Sequence, residues 1–98
     1  MILRVVKMRF RPEETESFLS YFDGRKERIR SFAGCRHLEL WRSPQDLNLF
    51  FTYSHWDSEA QLEAYRRSEF FDETWRATKA KFAERAEAWT VEPAVVLP

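Results

Sequence analysis

Few side chains of this sequence could take part in proton transfer near neutral pH. His37 and His55 are its only histidines, and imidazole is the side chain whose ordinary pKa lies closest to neutrality. Either one could accept a proton from a weakly acidic substrate, and His37, in phase with Glu39 along a strand, is the candidate catalytic base. His55 is adjacent to Trp56, so strand alternation turns these two side chains to opposite faces. The structural alternative is that both histidines are ordinary surface or satisfied strand residues.

Aromatic residues are a second source of candidate contacts, since the chain has 9 Phe, 4 Trp and 3 Tyr among 98 residues. Trp56, at the end of an aromatic run, could stack on a planar compound and donate one hydrogen bond from its indole N–H. It could equally be a core residue. A stripe with helical spacing follows, and core packing is its ordinary role, although some members could line a cavity. The members of this stripe are Phe71, Trp75, Thr78 and Phe82.

The single cysteine limits redox and metal chemistry. Cys35 cannot form an intramolecular disulfide, no Cys or His spacing resembles a zinc site, and we expect no metal. A buried, apolar role fits Cys35 better than a nucleophilic one. Charges interrupt the apolar start MILRVVKMRF, which argues against a signal peptide, and the longest uncharged run is about half the ~20 residues that span a bilayer. We therefore expect a cytoplasmic protein.

Length and charge exclude several classes of protein. A chain of 98 residues is expected to form a single domain, residues 1–98. Its 16 Lys and Arg balance 16 Asp and Glu, and the two signs are interleaved, so neither nucleic acid nor a membrane surface is an expected partner.

Strand and helix patterns alternate along the chain. Strands are predicted at residues 2–10, 35–42, 47–56 and 88–92. The first helical segment begins at Pro12 and is predicted as one helix of about 18 residues, which Gly24 interrupts. Ser58 and Ser68 have the position of N-caps for two more helices, one ending near Arg67 and one of about 15 residues.

This order of elements predicts an α+β fold of the ferredoxin-like kind, β-α-β-β-α-β, with a four-stranded antiparallel sheet and helices on one face. The third strand is apolar on both sides, so the uncovered face of the sheet would expose a large apolar patch. We expect a second copy of the chain to cover it, and the apolar tail AVVLP could lie across that partner.

Three segments resemble the antibiotic biosynthesis monooxygenase family, whose members form dimeric α+β barrels. They are IRSFAGC at 29–35 running into LEL at 38–40, FFTYSHWDSEAQLEAYRRS at 50–68, and FFDETW at 70–75 before the AWTVE strand. The pattern W-x-S-x-x-x-L at Trp56, Ser58 and Leu62 is the most specific part. The resemblance covers essentially the whole chain and implies a homodimer.

The resemblance also implies a function. Family members include cofactor-free monooxygenases that oxidise aromatic phenols to quinones, related quinol oxidases, haem-degrading enzymes and isomerases. Their ligand lies between the helices and the sheet, and the Trp that closes the third strand, here Trp56, lies in that pocket. The haem-degrading branch uses an Asn and a His whose positions are held here by Val6 and Trp75, which disfavours haem degradation.

Two functions are therefore predicted. The first is a cofactor-independent monooxygenase acting on a small planar aromatic or quinol compound, with Trp56, Trp75 and Phe71 contacting the substrate and His37 as base. The alternative is a dimeric small-molecule binding or accessory protein without turnover.

Overall fold

The four strands form one antiparallel sheet in the order β2-β3-β1-β4. The computed structural model describes all 98 residues. The strands are β1 (Ile2–Arg9), β2 (Cys35–Arg42), β3 (Leu49–Trp56) and β4 (Glu87–Val91). Each of the two helical connections joins strands that flank a third strand, as the ferredoxin-like prediction requires, and that prediction is confirmed.

The helix that follows Ser58 ends at Arg66, close to its predicted end near Arg67, whereas the other two helical segments differ from their predicted lengths. Between β1 and β2 lie a 3-10 turn (Pro12–Glu14), α1 (Thr15–Asp23) and α2 (Lys26–Arg30); between β3 and β4 lie α3 (Glu59–Arg66) and α4 (Glu69–Lys79). Every helix falls short of the length and apolar character that a membrane crossing demands.

The segment from Pro12 is not one continuous helix of about 18 residues, because it breaks at Gly24, the residue at which the sequence predicts an interruption. The Gly24 amide donates to carbonyl oxygens of that last turn, and α2 restarts two residues later. The 15-residue helix predicted from Ser68 is also too long. Phe82 leaves the helix and pairs in extended conformation with Phe10, a long-range contact that helical spacing cannot reveal.

The N-caps of the last two helices are as predicted. The hydroxyl of Ser58 accepts a hydrogen bond from the backbone N–H of Gln61 at 3.2 Å. The hydroxyl of Ser68 accepts one from the backbone N–H of Phe71 at 3.1 Å. Each serine satisfies an amide of the first turn that has no partner within its helix.

Two apolar clusters fill the space between the sheet and the helices. One contains Met8 and three phenylalanines, Phe10, Phe18 and Phe50, whose rings stack or meet edge to face. The other contains Cys35, Trp56 and Leu62. These clusters hold α1 and α3 against the sheet at either side of the space that contains the candidate site.

Candidate functional site

A cavity of about 270 Å³ lies between the sheet and the helices. Twelve of its eighteen lining residues are hydrophobic, which gives it the apolar character of a small-molecule site. Its floor includes side chains at alternate positions of β1 and β3, and its roof includes side chains of α3 and α4. Strand alternation turns these floor residues to the helix side of the sheet.

Trp56 lines this cavity and is also fully packed, with 1% of its surface exposed. The sequence suggests that its indole N–H is available to a ligand. In the structure this group donates to Ser54 Oγ at 3.0 Å instead. Because a buried N–H without a partner is costly, the bond to Ser54 stabilises the packed position of Trp56.

One wall of the cavity is aromatic. Trp56 stacks on Tyr65, with ring centroids 5.1 Å apart, and Tyr65 meets the edge of Phe71 at 5.0 Å. Phe71 in turn lies parallel to Trp75 at 6.0 Å. We call these four side chains the aromatic wall. The structure thus places Trp56, Phe71 and Trp75 together in one cavity, where the half-buried rings of Phe71 and Trp75 have surface left to contact a planar ring.

The α4 residues are arranged differently from the predicted stripe. The buried face of α4 is formed by Phe70, Thr74 and Thr78, whereas Phe71 and Trp75 are only half-buried. Phe70 faces Phe32 at 5.7 Å instead of the cavity. Half-burial of Phe71 and Trp75 follows from their position along the cavity, which leaves part of each ring without a packing partner.

The polar groups of the cavity are hydroxyls and guanidinium groups. Ser54 and Thr52 lie two residues apart on the same face of β3, and both line the cavity with Arg4 and Arg66. No Asp, Glu, His or Lys is among the lining residues. Tyr65 is the other titratable side chain there, and burial raises its pKa well above the ordinary value, so its phenol stays protonated at neutral pH.

His37 does not line the cavity. It pairs with His55 across β2 and β3, with ring centroids 4.8 Å apart, on the sheet face opposite the helices. The predicted orientation of His55 away from the helix side is what the structure shows. His37 contacts Glu39 through Nε2, as its phase along the strand suggests. A base role for His37 stays a prediction, and in a single chain it would require a substrate on this outer face.

Cys35 is buried, and burial raises the pKa of its thiol, which argues for a packing role. No group of three or more His, Cys, Asp or Glu side chains is arranged to hold a metal ion.

Sequence reasoning missed Arg4, Ser54 and Tyr65 as cavity residues. A signal for each of them was present: Arg4 is in phase with Val6 and Met8 on β1, and Ser54 is in phase with Trp56 on β3. Tyr65 follows Leu62 by three residues and so shares its helix face.

Several protein families share this fold, and a comparison with family models shows to which of them the chain belongs. The family model of the antibiotic biosynthesis monooxygenases matches residues 1–81. The chain belongs to this family. The match includes β1, β2, β3, α3 and α4, and therefore the aromatic wall, while β4 lies beyond its end. No curated protein matches the chain.

Solved structures share the fold over nearly the full length. One titled antibiotic biosynthesis monooxygenase has a TM-score of 0.90 at 17% identity, covering 97% of this chain and 100% of its own. A conserved protein from Methanosarcina mazei has a TM-score of 0.86 at 20% identity, covering 93% and 91%. A mutant of SnoaB, a cofactor-independent oxygenase from Streptomyces nogalater, has a TM-score of 0.89 at 15% identity, covering 99% and 96%. At these identities the likeness shows the fold alone.

Val6 and Trp75, which the resemblance to the haem-degrading branch aligns with an Asn and a His, both line the cavity. Neither side chain has an atom that coordinates iron in haem proteins.

Proposed function

We propose that the protein is a cofactor-independent monooxygenase that acts on a small planar aromatic or quinol compound bound in the cavity between the helices and the sheet. The observation that carries this proposal is the aromatic wall of Trp56, Tyr65, Phe71 and Trp75 along an otherwise apolar cavity. Membership of the family supports it, as does the shared fold with SnoaB, a cofactor-independent oxygenase.

The cavity would act mainly by binding and by excluding water. A planar phenol would lie along the aromatic wall, where its ring replaces water at apolar surface. The hydroxyls of Ser54 and Thr52 can donate to its oxygen. The bound phenolate anion would then react at a ring carbon with O₂: one oxygen atom enters the ring to give a quinone, and the other leaves as water with the two hydrogens that the substrate loses.

The proton of the phenol must leave without a neutral-range base in the cavity. No carboxylate, histidine or lysine lines it, and the phenol of Tyr65 does not ionise near pH 7. Ionisation would therefore depend on the cationic Arg4 and Arg66, which stabilise the anion, with solvent accepting the proton at the cavity mouth.

The same observation favours a second function. A binding or accessory protein without turnover would need the aromatic wall but no general base. The two functions differ only in whether the bound compound is oxidised.

Oxygen uptake separates these functions. We would measure O₂ consumption with 1-naphthol and related hydroquinones, and compare it with the rise in melting temperature that each compound causes. From 1-naphthol, a monooxygenase should form one quinone per O₂ consumed and place one labelled atom from ¹⁸O₂ in it, whereas a hydroquinone would be oxidised to its quinone without gaining labelled oxygen. A rise in melting temperature without oxygen uptake would establish the binding function instead.

A cavity-filling variant tests the location of the site. Ala88 lines the cavity from the exposed strand β4, so Ala88→Phe should obstruct the cavity at little structural cost. Ala83→Phe, at an exposed position outside the cavity, is the matched control. Loss of binding and turnover in the first variant alone is the expected result. Equal activity in both would place the site elsewhere.

We also propose a homodimer that buries the face of the sheet opposite the helices, which we call the outer face. It contains aromatic and aliphatic side chains of β1, β3 and β4, among them Val5, Phe51, Tyr53 and Trp89. Trp89 and Val91 are each 45% exposed, and the tail residues Val95, Val96 and Leu97 are 77–82% exposed. A second copy of the sheet would cover this surface.

The buried free thiol of Cys35 is consistent with a reducing compartment, and we propose the cytoplasm.

A further inference from the structure

Both charged side chains that line the cavity are cationic. Arg4 belongs to β1 and Arg66 to α3, so the sheet and the roof each contribute one guanidinium group. No acidic residue is among the lining residues. In a chain whose charges balance, with 16 of each sign, this cavity is locally positive.

Arg4 has no carboxylate partner. Its side chain makes one hydrogen bond, from Nη1 to Thr90 Oγ1 at 2.8 Å, and it takes part in none of the ion pairs of the structure. Burial, and next the nearby charge of Arg66, lower the pKa of Arg4, while the carboxylate of Glu63, close enough to act by its charge but not bonded to Arg4, opposes them. A guanidinium has five N–H donors, so most of the donors of Arg4 have no protein acceptor.

Arg66 lies at the rim of the cavity. It is exposed and pairs with Glu63 at 2.7 Å on the same helix. This pair fixes the direction of the side chain, while the remaining N–H groups of the guanidinium can donate elsewhere.

Ser54 lies beside Arg4. The two residues are directly opposite each other in the register of β1 and β3, on the face that lines the cavity, and opposite residues have Cβ atoms about 5 Å apart. Because Ser54 Oγ accepts from Trp56, its own proton remains available for donation. The hydroxyl therefore adds a donor next to the unpaired guanidinium.

We infer that Arg4, Arg66 and Ser54 form an anion subsite, and that the ligand is a planar aromatic compound with an anionic oxygen, a carboxylate or a phenolate, at one end. The ring lies on the aromatic wall, and the anionic oxygen receives hydrogen bonds from the two guanidinium groups and the serine hydroxyl. This inference rests on the proposed function in that it uses the same cavity, but it concerns binding and does not require turnover.

The test compares two ligands of nearly equal shape. 2-Naphthoate carries a carboxylate where 2-naphthamide carries a neutral amide, so the ratio of their Kd values isolates the anionic charge. We expect the wild type to bind 2-naphthoate at least about tenfold more tightly, the lower range for a hydrogen bond to a charged group. Arg4→Gln and Arg66→Gln should each reduce this ratio severalfold. Arg67→Gln, which removes the same charge from an exposed residue outside the cavity, should leave the ratio unchanged.

A spectroscopic arm distinguishes the two sources of the anion. If the subsite accepts a phenolate, bound 1-naphthol should ionise at a lower pH than free 1-naphthol, and Arg4→Gln should reverse the shift. If it accepts only a carboxylate, bound 1-naphthol should show no such shift, while the preference for 2-naphthoate persists. Either result supports an anion subsite.

Other outcomes overturn the inference. Equal affinity for 2-naphthoate and 2-naphthamide, together with unshifted ionisation of 1-naphthol, would remove the subsite and leave the aromatic cavity in place. Binding of none of these compounds would remove both the subsite and the proposed function. Selective binding of 2-naphthoate without oxygen uptake from 1-hydroxy-2-naphthoate would retain the subsite and contradict only the monooxygenase proposal. Because Arg66 is exposed on a helix, its variant keeps the test valid even if Arg4→Gln destabilises the fold.

Discussion

At the scale of single residues, Trp56 serves both the core and the cavity. Its ring is buried against Leu62 and Tyr65, and its N–H is bonded to Ser54. Removing either partner of that bond leaves a buried polar group unpaired, whereas removing both leaves none. The two residues should therefore depend on each other energetically.

A double-mutant cycle measures this dependence. Trp56→Phe and Ser54→Ala should each lower the free energy of unfolding by about 1–3 kcal/mol. The double variant should lose less than the sum of the two, with a coupling energy of about 1 kcal/mol. Chemical denaturation of the four proteins provides the measurement. Strict additivity would mean that the Trp56–Ser54 bond contributes nothing to stability.

His55 predicts a dependence of stability on pH. Burial, and next the nearby His37, lower the pKa of His55, with Glu39 opposing them. Its folded pKa then lies below the unfolded value of about 6.5, so the unfolded state binds more protons in this range. The contribution of His55 is fully present above about pH 6.5 and is lost as the pH falls below it.

We therefore expect the free energy of unfolding to decline as the pH falls through and below about 6.5, and His55→Gln to flatten this slope. Carboxylates with lowered pKa, such as Asp46 and Asp57, lose their stabilising effect only at lower pH, below about 4. Unfolding curves measured at half-unit steps of pH would separate the two ranges. An equal slope in the wild type and in His55→Gln would show that His55 does not cause it.

At the scale of elements, the turn before β2 holds the sheet against α3. Gly34 has φ of 88°, a conformation that costs other residues about 1–2 kcal/mol. A Cβ at this position would lie 2.7 Å from Cβ of Gln61 and 2.5 Å from its Oε1. Gln61 cannot move freely, because its backbone N–H and its side-chain Oε1 both form hydrogen bonds with the hydroxyl of Ser58 at the start of α3.

Two glycine substitutions test this contact. Gly34→Ala should lower the free energy of unfolding by about 1–3 kcal/mol through strain and the clash with Gln61. Gly24→Ala is the matched control, since φ there is −80° and the nearest atom to a new Cβ is 3.6 Å away. It should leave stability unchanged or raise it by about 0.4–1 kcal/mol. Equal effects at both positions would contradict this account of the turn.

Local patterns in the sequence predict elements well where a local signal exists. The bounds of β2 and the caps Ser58 and Ser68 are as predicted, because alternation and capping depend on neighbouring residues. The end of α4 differs from the prediction, because Phe82 lies outside the helix and pairs with the backbone of Phe10.

In the candidate site, too, some residues can be predicted from local patterns and others cannot. Trp56, Phe71 and Trp75 are identifiable from the family pattern and helical spacing. Arg4 and Ser54 become neighbours only through the register of β1 with β3, which pairs residues 50 positions apart.

At the scale of the whole molecule, the outer face has no cover within one chain. Trp41 stacks on Tyr53 at 4.8 Å, and Tyr53 meets His55 at 4.9 Å, so aromatic rings form a continuous surface across β2 and β3. Nε2 of His55 is buried there without a hydrogen-bond partner. Such a surface is typical of an interface that two copies of a chain share.

We expect sedimentation at low micromolar concentration to show a species of about twice the chain mass of 11.9 kDa. Tyr53→Asp, in the middle of the outer face, should dissociate it, because association would bury an unpaired charge. Leu47→Asp adds the same charge at a residue in the turn before β3 that is 57% exposed, and should not affect assembly. A folded wild-type monomer at this concentration would contradict the proposed dimer.

The central claim is that an aromatic ligand binds between the helices and the sheet, with its ring on the aromatic wall. A crystal structure of the protein with 1-hydroxy-2-naphthoate tests it most directly. We expect the naphthalene ring to lie against the aromatic wall of Trp56, Tyr65, Phe71 and Trp75, with the carboxylate within hydrogen-bond distance of Arg4. A ring bound instead on the outer face beside His37 and His55, with the cavity unoccupied, would contradict it.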